Sequence, residues 1–381
     1  MLLLAAVLAR GHGPHGVVAL RVRPLLPLLG AAIVAGLAGC GSDAPIAGGG
    51  RVVGDAVTIY ASVPEPGTGT GRDLIDAAKL AISRADGQAG GLDVNFAAVG
   101  EGSPGADAPP ALVAGAAEQV VRDPQVISVI GSLRSQTAMT AIPLFNAAGV
   151  LHVSPGAGYA GFTGGRGDEP ERWYPSGRPT FARVIADDVA QAAALLRAAG
   201  AARVAVEAEA GRAPEALAED LAQADRLDDG VRIVADTARA GAVIYAGSDL
   251  RSAVGVAEAL AREAPDATLV FPDELTRAGL ADALPAAARR RAVMVSSAPE
   301  PGSSPELRDF EQAFEDQYVR VPGPYAVLGW RATRRVLEAM DAAAPRANLR
   351  TAVIDAYLDL PRPPEGFTAF RPRPGGPRYL G

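Results

Sequence analysis

Three glycines near the middle of the chain have the spacing of a phosphate-binding loop. Gly156, Gly158 and Gly161 follow an apolar segment in a G-x-G-x-x-G pattern, which in a strand–turn–helix setting binds a dinucleotide. That chemistry requires the glycines to open a helix whose N-terminus receives the phosphates. Residues 162–175 instead contain three further glycines and two prolines, which disfavours a helix. We therefore expect no dinucleotide and no other cofactor.

Groups that could catalyse a reaction are scarce. Two of the three histidines lie in the first 15 residues, and the only cysteine is Cys40. A chain that begins at Cys40 lacks the ligands for a zinc site or a disulfide. His152 is the only remaining histidine, and its position in an apolar strand is typical of a core residue. Because a serine nucleophile needs a base within reach, we predict that the protein is not an enzyme and holds no metal.

The N-terminal segment has the features of an export signal. A short basic region, an apolar run and small residues lead to Leu37-Ala-Gly-Cys40, which resembles the bacterial lipobox. We predict a signal peptide over residues 1–39, lipidation of Cys40 and a flexible tether over residues 40–55. The alternative is an ordinary signal peptide that happens to end at a cysteine. Either interpretation indicates an extracytoplasmic protein, and lipidation would anchor it to the cell membrane.

The charge of the chain argues against a nucleic-acid partner. Its formal net charge is −7, and without the three arginines of the leader 33 basic residues stand against 43 acidic ones, a net charge of −10. Phosphate backbones are bound by basic surfaces.

Strand-like and helix-like segments alternate along the rest of the chain. This alternation predicts an α/β fold with parallel sheets flanked by helices, in two lobes. The predicted strands are 57–61, 92–96, 126–130, 150–153, 180–184, 204–206, 231–234, 242–245, 268–271 and 293–295. The main predicted helices are 73–85, 112–121, 135–147, 189–198, 306–317 and 325–343.

A candidate anion site lies where the strand over 126–130 ends and the next helix begins. Ser135 stands at the start of that helix, where backbone N–H groups and the helix dipole favour a carboxylate. The neighbouring strand ends in Ser154-Pro-Gly-Ala-Gly158, which we expect to supply further N–H groups at the same edge of the sheet. Ordinary helix capping without a ligand is the alternative.

The segment from Val129 to Thr163, VIGSLRSQTAMTAIPLFNAAGVLHVSPGAGYAGFT, resembles the type I periplasmic binding proteins, in particular the leucine/isoleucine/valine-binding receptors of ABC transporters. Weaker similarity covers 76–82, 180–184, 243–247 and 324–332. The resemblance implies two Rossmann-like lobes, joined by three crossovers around a cleft that closes on its ligand. The implied boundaries are 56–177 with about 299–343 for lobe 1, 178–298 with about 344–370 for lobe 2, and a tail over 371–381.

The resemblance also implies roles for individual residues. Ser135, Ala157 and Gly158 would hold the ligand carboxylate, and Asp273 from the second lobe would hold its ammonium group. Gly158 lacks the threonine hydroxyl that the family has there, and Thr70 stands where relatives often place an aromatic cover. The alternative for Asp273 and its neighbour Glu274 is a solvated loop pair.

These features together lead to one expected function and one alternative. We expect a monomeric, membrane-anchored receptor that binds a small amino-acid-like, amide or carboxylate ligand and delivers it to an ABC permease. The alternative is a ligand-sensing or degenerate lipoprotein of the same fold that is not coupled to transport.

Overall fold

The computed structural model describes residues 50–103, 105–164, 166–227, 230–362, 366–373 and 377–380. The predicted signal peptide, the lipidated Cys40 and most of the predicted tether lie outside these residues. The tether prediction extends slightly too far, because Val52 is fully buried and its N–H donates to the Asn348 carbonyl at 2.8 Å. Val52 therefore belongs to the core of the first lobe, a few residues before the predicted boundary.

The first lobe is built on a six-stranded sheet with the order β2-β3-β1-β4-β5-β6. All of its neighbouring strands are parallel except the short β2, which pairs antiparallel with β3. Every side chain of β4 is buried, as expected for an apolar strand covered on both faces. The strands are β1 Ala56–Val63, β2 Gln88–Ala89, β3 Leu92–Gly100, β4 Val126–Ile130, β5 Leu151–Ser154 and β6 Phe181–Arg183.

The second lobe contains a seven-stranded sheet with the order β13-β12-β11-β10-β9-β7-β8. Its strands are β7 Arg203–Ala208, β8 Arg232–Ile233, β9 Ala242–Ala246, β10 Thr268–Phe271, β11 Ala292–Ser296, β12 Thr368–Arg371 and β13 Arg378–Leu380. The first five are parallel, and the two C-terminal strands pair antiparallel. The predicted α/β class with two lobes of mainly parallel strands is confirmed.

Helices flank both sheets. Those of the first lobe are α1 Gly69–Arg84, α2 Pro110–Val121, α3 Ser135–Ala147, α10 Pro305–Tyr318, α11 Ala326–Ala343 and α12 Arg350–Asp359. Those of the second are α4 Asp188–Ala199, α5 Arg212–Leu227, α6 Leu250–Glu263, α7 Asp273–Arg277, α8 Leu280–Ala283 and α9 Ala286–Arg289. Among the described helices, none is both long and apolar enough to cross a membrane.

The chain passes between the lobes three times, after β6, after β11 and after α12. The C-terminal part differs from the predicted boundaries. We assigned residues 344–370 to the second lobe, but α12 packs on α11 of the first lobe. Residues 371–381 were predicted as a tail, but β13 within this range pairs with β12 at the edge of the second sheet. The alternation of helices and strands predicts parallel strands only. A short antiparallel hairpin in a Pro- and Gly-rich segment does not show this alternation, so the sequence did not predict it.

The first lobe depends on a close contact between α1 and α11. A Cβ atom placed on Gly329 would lie 2.6 Å from Leu74 Cδ2 and 3.0 Å from the Leu74 carbonyl oxygen. Leu74 is 2% exposed, so it has little room to move away. Glycine is therefore required at this position by packing.

We expect Gly329→Ala to destabilise the protein by about 1–3 kcal/mol, because the added methyl overpacks the helix interface. Gly255 on α6 provides the matched control, since the residue is exposed and a Cβ atom placed on it would meet nothing within 4 Å. Gly255→Ala should be neutral or stabilise by up to about 1 kcal/mol through helix propensity. Urea unfolding of both variants measures the difference. Equal effects at the two sites would contradict the packing argument.

Candidate functional site

The predicted site residues meet in the cleft between the lobes. The first lobe contributes the N-terminal turns of α1 and α3, with Thr70 and Ser135, and the loop after β5. The second lobe contributes α7, which begins at Asp273 directly after β10. These segments lie at the carboxyl ends of parallel strands, where open α/β sheets bind ligands.

The N-terminus of α3 already holds a carboxylate. The Ser135 N–H donates to Glu274 Oε1 of the second lobe at 2.7 Å. A carboxylate at a helix N-terminus is stabilised by the free N–H groups and by the helix dipole. Ser135 was considered as a helix cap, but Arg134 occupies the cap position. The Ser135 hydroxyl instead accepts from the Tyr159 N–H at 3.2 Å.

The loop after β5 uses its own N–H groups internally. Ser154 Oγ accepts from the N–H groups of Gly156 at 3.1 Å and Ala157 at 2.7 Å, and it donates to the Ser132 carbonyl at 2.6 Å. Ala157 is fully buried. In this closed arrangement the Ala157 N–H, which we predicted to bind the ligand carboxylate, is satisfied by Ser154.

Asp273 accepts four hydrogen bonds. Its Oδ1 receives the Ser297 N–H at 2.8 Å and the Tyr325 hydroxyl at 2.7 Å, and its Oδ2 receives the Ser297 hydroxyl at 2.8 Å and Arg277 Nη1 at 3.0 Å. A carboxylate offers about four lone-pair positions. The structure therefore gives Asp273 a guanidinium partner from its own helix where we predicted a ligand ammonium group.

Arg277 connects the second lobe to the first. Its side chain is 4% exposed, and Nη2 donates to the Gly156 carbonyl across the cleft at 3.0 Å. The guanidinium also lies 5.4 Å from the centre of the Tyr325 ring, within the range of a cation–π contact. Thr70, which we predicted at the ligand, donates weakly to the Arg277 carbonyl at 3.4 Å. Thr70 thus lies in the cleft and contacts the opposite lobe.

The glycine at position 158 makes room for a buried acid. A Cβ atom on Gly158 would lie 2.4 Å from Asp188 Oδ1, and the Asp188 N–H donates to the Gly158 carbonyl at 2.8 Å. Burial, with a smaller contribution from the Glu274 charge, raises the pKa of Asp188 from 3.8 to about 7. Glu101, a buried acid of the first lobe, also has its pKa raised to about 7, chiefly by burial.

Little space is left between the lobes. Two cavities of about 10 and 20 Å³ lie in the cleft, and Glu274 lines both. Each has the volume of about one water molecule. Charged contacts cross the rim, where Arg166 pairs with Glu219 at 3.0 Å and with Asp220, and Arg212 pairs with the buried Glu169 at 3.3 Å. A ligand can enter only after the lobes open.

His152 is a core residue, as we expected. It packs edge-on between Phe145 and Phe181, and its Nε2 accepts from the Ser132 N–H at 3.0 Å. Burial lowers its pKa to about 3, so the ring is neutral. Within the described residues, no cluster of three or more His, Cys, Asp and Glu side chains could hold a metal ion.

Three residues of the cleft have roles that the sequence did not reveal. Glu274 was considered only as part of a solvated pair, and neither Asp188 nor Arg277 was assigned a role. The signal that could have found two of them is the sequence Asp273-Glu-Leu-Thr-Arg277, in which two acids and an arginine share one helical turn directly after a buried strand.

Comparison with solved structures agrees with this fold. A leucine-binding protein from Thermotoga maritima superposes with a TM-score of 0.67 at 16% identity, over 85% of this chain and 98% of that one. A branched-chain amino acid transporter substrate-binding protein from Streptococcus pneumoniae, in complex with isoleucine, gives 0.63 at 17% identity, over 85% and 99%. An ABC-transporter solute-binding protein from Rhodopseudomonas palustris, in complex with 3,4-dihydroxybenzoic acid, gives 0.64 at 17% identity, over 86% and 96%.

The chain therefore has the type I periplasmic binding protein fold. No protein-family model and no curated protein sequence matches it.

The raised pKa of Asp188 predicts a pH-dependent stability. The folded state holds a proton that the unfolded state releases near pH 4, so stability is lost as pH rises from about 4 to about 7. Asp188→Asn removes this titration. We expect the variant to be more stable than wild type by roughly 3–4 kcal/mol at pH 8, and to lose that advantage toward pH 4.

Chemical denaturation at several pH values measures this difference. Glu101 titrates in both proteins, so its contribution cancels in the comparison. A difference between variant and wild type that stays constant from pH 4 to 8 would show that Asp188 keeps an ordinary pKa.

Proposed function

We propose that the protein is an extracytoplasmic solute-binding receptor that holds a small carboxylate between its lobes and delivers it to an ABC permease. The observation that carries this proposal is the carboxylate of Glu274 on the Ser135 N–H at 2.7 Å. It supports a carboxylate site at the N-terminus of α3, because the hydrogen-bond geometry and the helix dipole there suit a carboxylate.

The ligands of proteins with the same fold support this chemistry. Isoleucine and 3,4-dihydroxybenzoic acid are bound by two of the compared proteins, and both carry a carboxylate. In our proposal the ligand carboxylate takes the place of the Glu274 carboxylate at Ser135. Opening of the lobes frees Gly158 and Thr70 to contact the remainder of the ligand, and Ala157 and Asp273 hold the surrounding backbone and side chains in position.

Closure of the cleft is proposed as the signal that the permease recognises. Closure brings charged groups of the two lobes together at the rim, including Arg166 with Glu219. A ligand that contacts both lobes shifts the population toward the closed state.

A sensing or degenerate lipoprotein remains the second candidate, favoured by the cleft filled with the chain's own side chains. Uptake of a radiolabelled ligand by cells that produce or lack the protein separates the two candidates. Uptake that depends on the protein supports transport. Binding in vitro without any change in uptake supports sensing.

The role proposed for the Ser135 N–H can be tested with a proline substitution. Because Glu274 competes for this donor, the test compares variants that all carry Glu274→Ala. Proline fits the first position of a helix, and Arg134 has the extended backbone, φ −119° and ψ 141°, that a residue before proline adopts. Adding Ser135→Pro should weaken carboxylate binding by about 1.5–3 kcal/mol, since it removes one charge-assisted hydrogen bond.

Adding Ser135→Ala is the matched control, because it removes the hydroxyl and keeps the N–H. Ligands are first found by a thermal-shift screen of amino acids, amides and monocarboxylates on the full-length chain, and affinities are then measured by calorimetry. Equal affinity of the proline and alanine variants would place the ligand carboxylate elsewhere.

The membrane anchor that we propose at Cys40 can be tested separately. Cells that express the full-length chain should incorporate labelled fatty acid into the protein, and the label should disappear in Cys40→Ala. Wild type should sediment with membranes and the variant should not. Export of an unlabelled protein cleaved before residue 40 would instead indicate an ordinary signal peptide.

A further inference from the structure

We propose that Glu274 and Arg277 act as a built-in substitute for a zwitterionic ligand, so that the cleft selects carboxylates without an ammonium group. Such ligands displace Glu274 alone and leave Arg277 on Asp273. This inference rests on the proposed receptor function and names the ligand class and the residues that set it.

The two side chains supply both charges of an α-amino acid. Glu274 provides a carboxylate to the N-terminus of α3 at 2.7 Å, and Arg277 provides a cation to Asp273 at 3.0 Å. The N-terminus of α3 suits an anion and the Asp273 carboxylate suits a cation. The closed cleft therefore satisfies both of its charged positions from one five-residue helix, α7.

Glu274 is the displaceable half of this pair. It is half-buried, and its contact with Ser135 joins the two lobes, so the contact breaks when the lobes separate. Its side chain lies between the two small cavities and lines both. Thr70 also lines one of these cavities, and Leu217 lines the other. A ligand carboxylate that replaces Glu274 at Ser135 restores the same hydrogen bond.

Arg277 is the fixed half of the pair. Its side chain is 4% exposed and that of Asp273 is 3% exposed, and both belong to the second lobe. Moving Arg277 aside would leave Asp273 with a buried, uncompensated charge, which is far more costly than exchanging one carboxylate for another. Arg277 therefore stays in place when a ligand binds.

Asp273 offers an ammonium group no open acceptor position. All four acceptor positions of Asp273 are filled. Asp188 already accepts from Gln191 Nε2 at 2.6 Å, and its raised pKa of about 7 leaves it partly protonated at neutral pH. The guanidinium of Arg277 adds like-charge repulsion. A displaced Glu274 could accept an ammonium only by turning back toward the ligand, and the variant below removes that possibility.

The test uses two probes that share one carbon skeleton. Leucine and 4-methylpentanoate differ only in the α-amino group, and calorimetry on the full-length chain in detergent measures the affinity for each. We expect wild type to bind 4-methylpentanoate more tightly than leucine. Glu274→Ala should raise the affinity for 4-methylpentanoate at least about tenfold, because the internal competitor for the Ser135 N–H is gone.

Glu258→Ala is the control, because Glu258 is an exposed residue of α6 and its substitution removes the same charge at a position that does not line the cleft cavities. It should bind both probes as wild type does, and thermal unfolding checks that each variant is folded. Unchanged or weaker binding of 4-methylpentanoate by Glu274→Ala would overturn the role of Glu274 as a competitor. Tighter binding of leucine than of 4-methylpentanoate would overturn the ligand class.

Failure of the receptor proposal has a different result. If neither wild type nor Glu274→Ala binds any monocarboxylate, amino acid or amide of the screen, both the receptor and this inference fail. If wild type binds monocarboxylates and Glu274→Ala binds them no more tightly, the receptor proposal stands and only this inference fails.

Discussion

The second lobe's side of the cleft depends on the burial of the Asp273 carboxylate with the Arg277 guanidinium. Neither charge could leave water without its hydrogen bonds, because burying an incompletely paired charge costs several kcal/mol. Arg277 and Ser297 belong to the same lobe as Asp273, so most of this network survives when the cleft opens. The bonds that cross to the first lobe are those of Asp273 with Tyr325, of Arg277 with the Gly156 carbonyl and of Thr70 with the Arg277 carbonyl. Opening therefore exchanges a few hydrogen bonds for water and leaves the ion pair intact.

Much of the fold could be predicted from the sequence because its elements are regular. The apolar run of β4 and the spaced apolar residues of α11 define both the elements and their buried faces. The C-terminal hairpin could not be predicted in this way. β13 has three residues, and β12 is half-buried along its length, so neither shows a clear period. Their pairing is decided by the free edge of β11, which only the assembled sheet presents.

Sequence reasoning named some residues that line the candidate site, but not the side chains that fill it. Ser135 was found because it begins a helix directly after a buried strand, and Asp273 because the family resemblance implies an acid at that position. The roles of Glu274 and Asp188 depend on contacts with residues 139 and 30 positions away in the chain, such as Glu274 with Ser135. Gly158 illustrates the difference. By the family resemblance, Gly158 lacks a threonine hydroxyl. In the structure, the Asp188 carboxylate occupies the space that a side chain at this position would take.

A cleft that closes on its own side chains raises the apparent dissociation constant of a ligand. The apparent dissociation constant rises by the inverse of the fraction of molecules whose cleft is free, and each tenfold reduction of that fraction corresponds to about 1.4 kcal/mol. A stable contact between Glu274 and Ser135 therefore lowers affinity without altering any ligand contact. Such a receptor would respond only to solute concentrations well above the intrinsic dissociation constant. The combined strength of the interlobe contacts, the bond of Ser135 to Glu274 among them, thus sets the concentration range in which this fold can work.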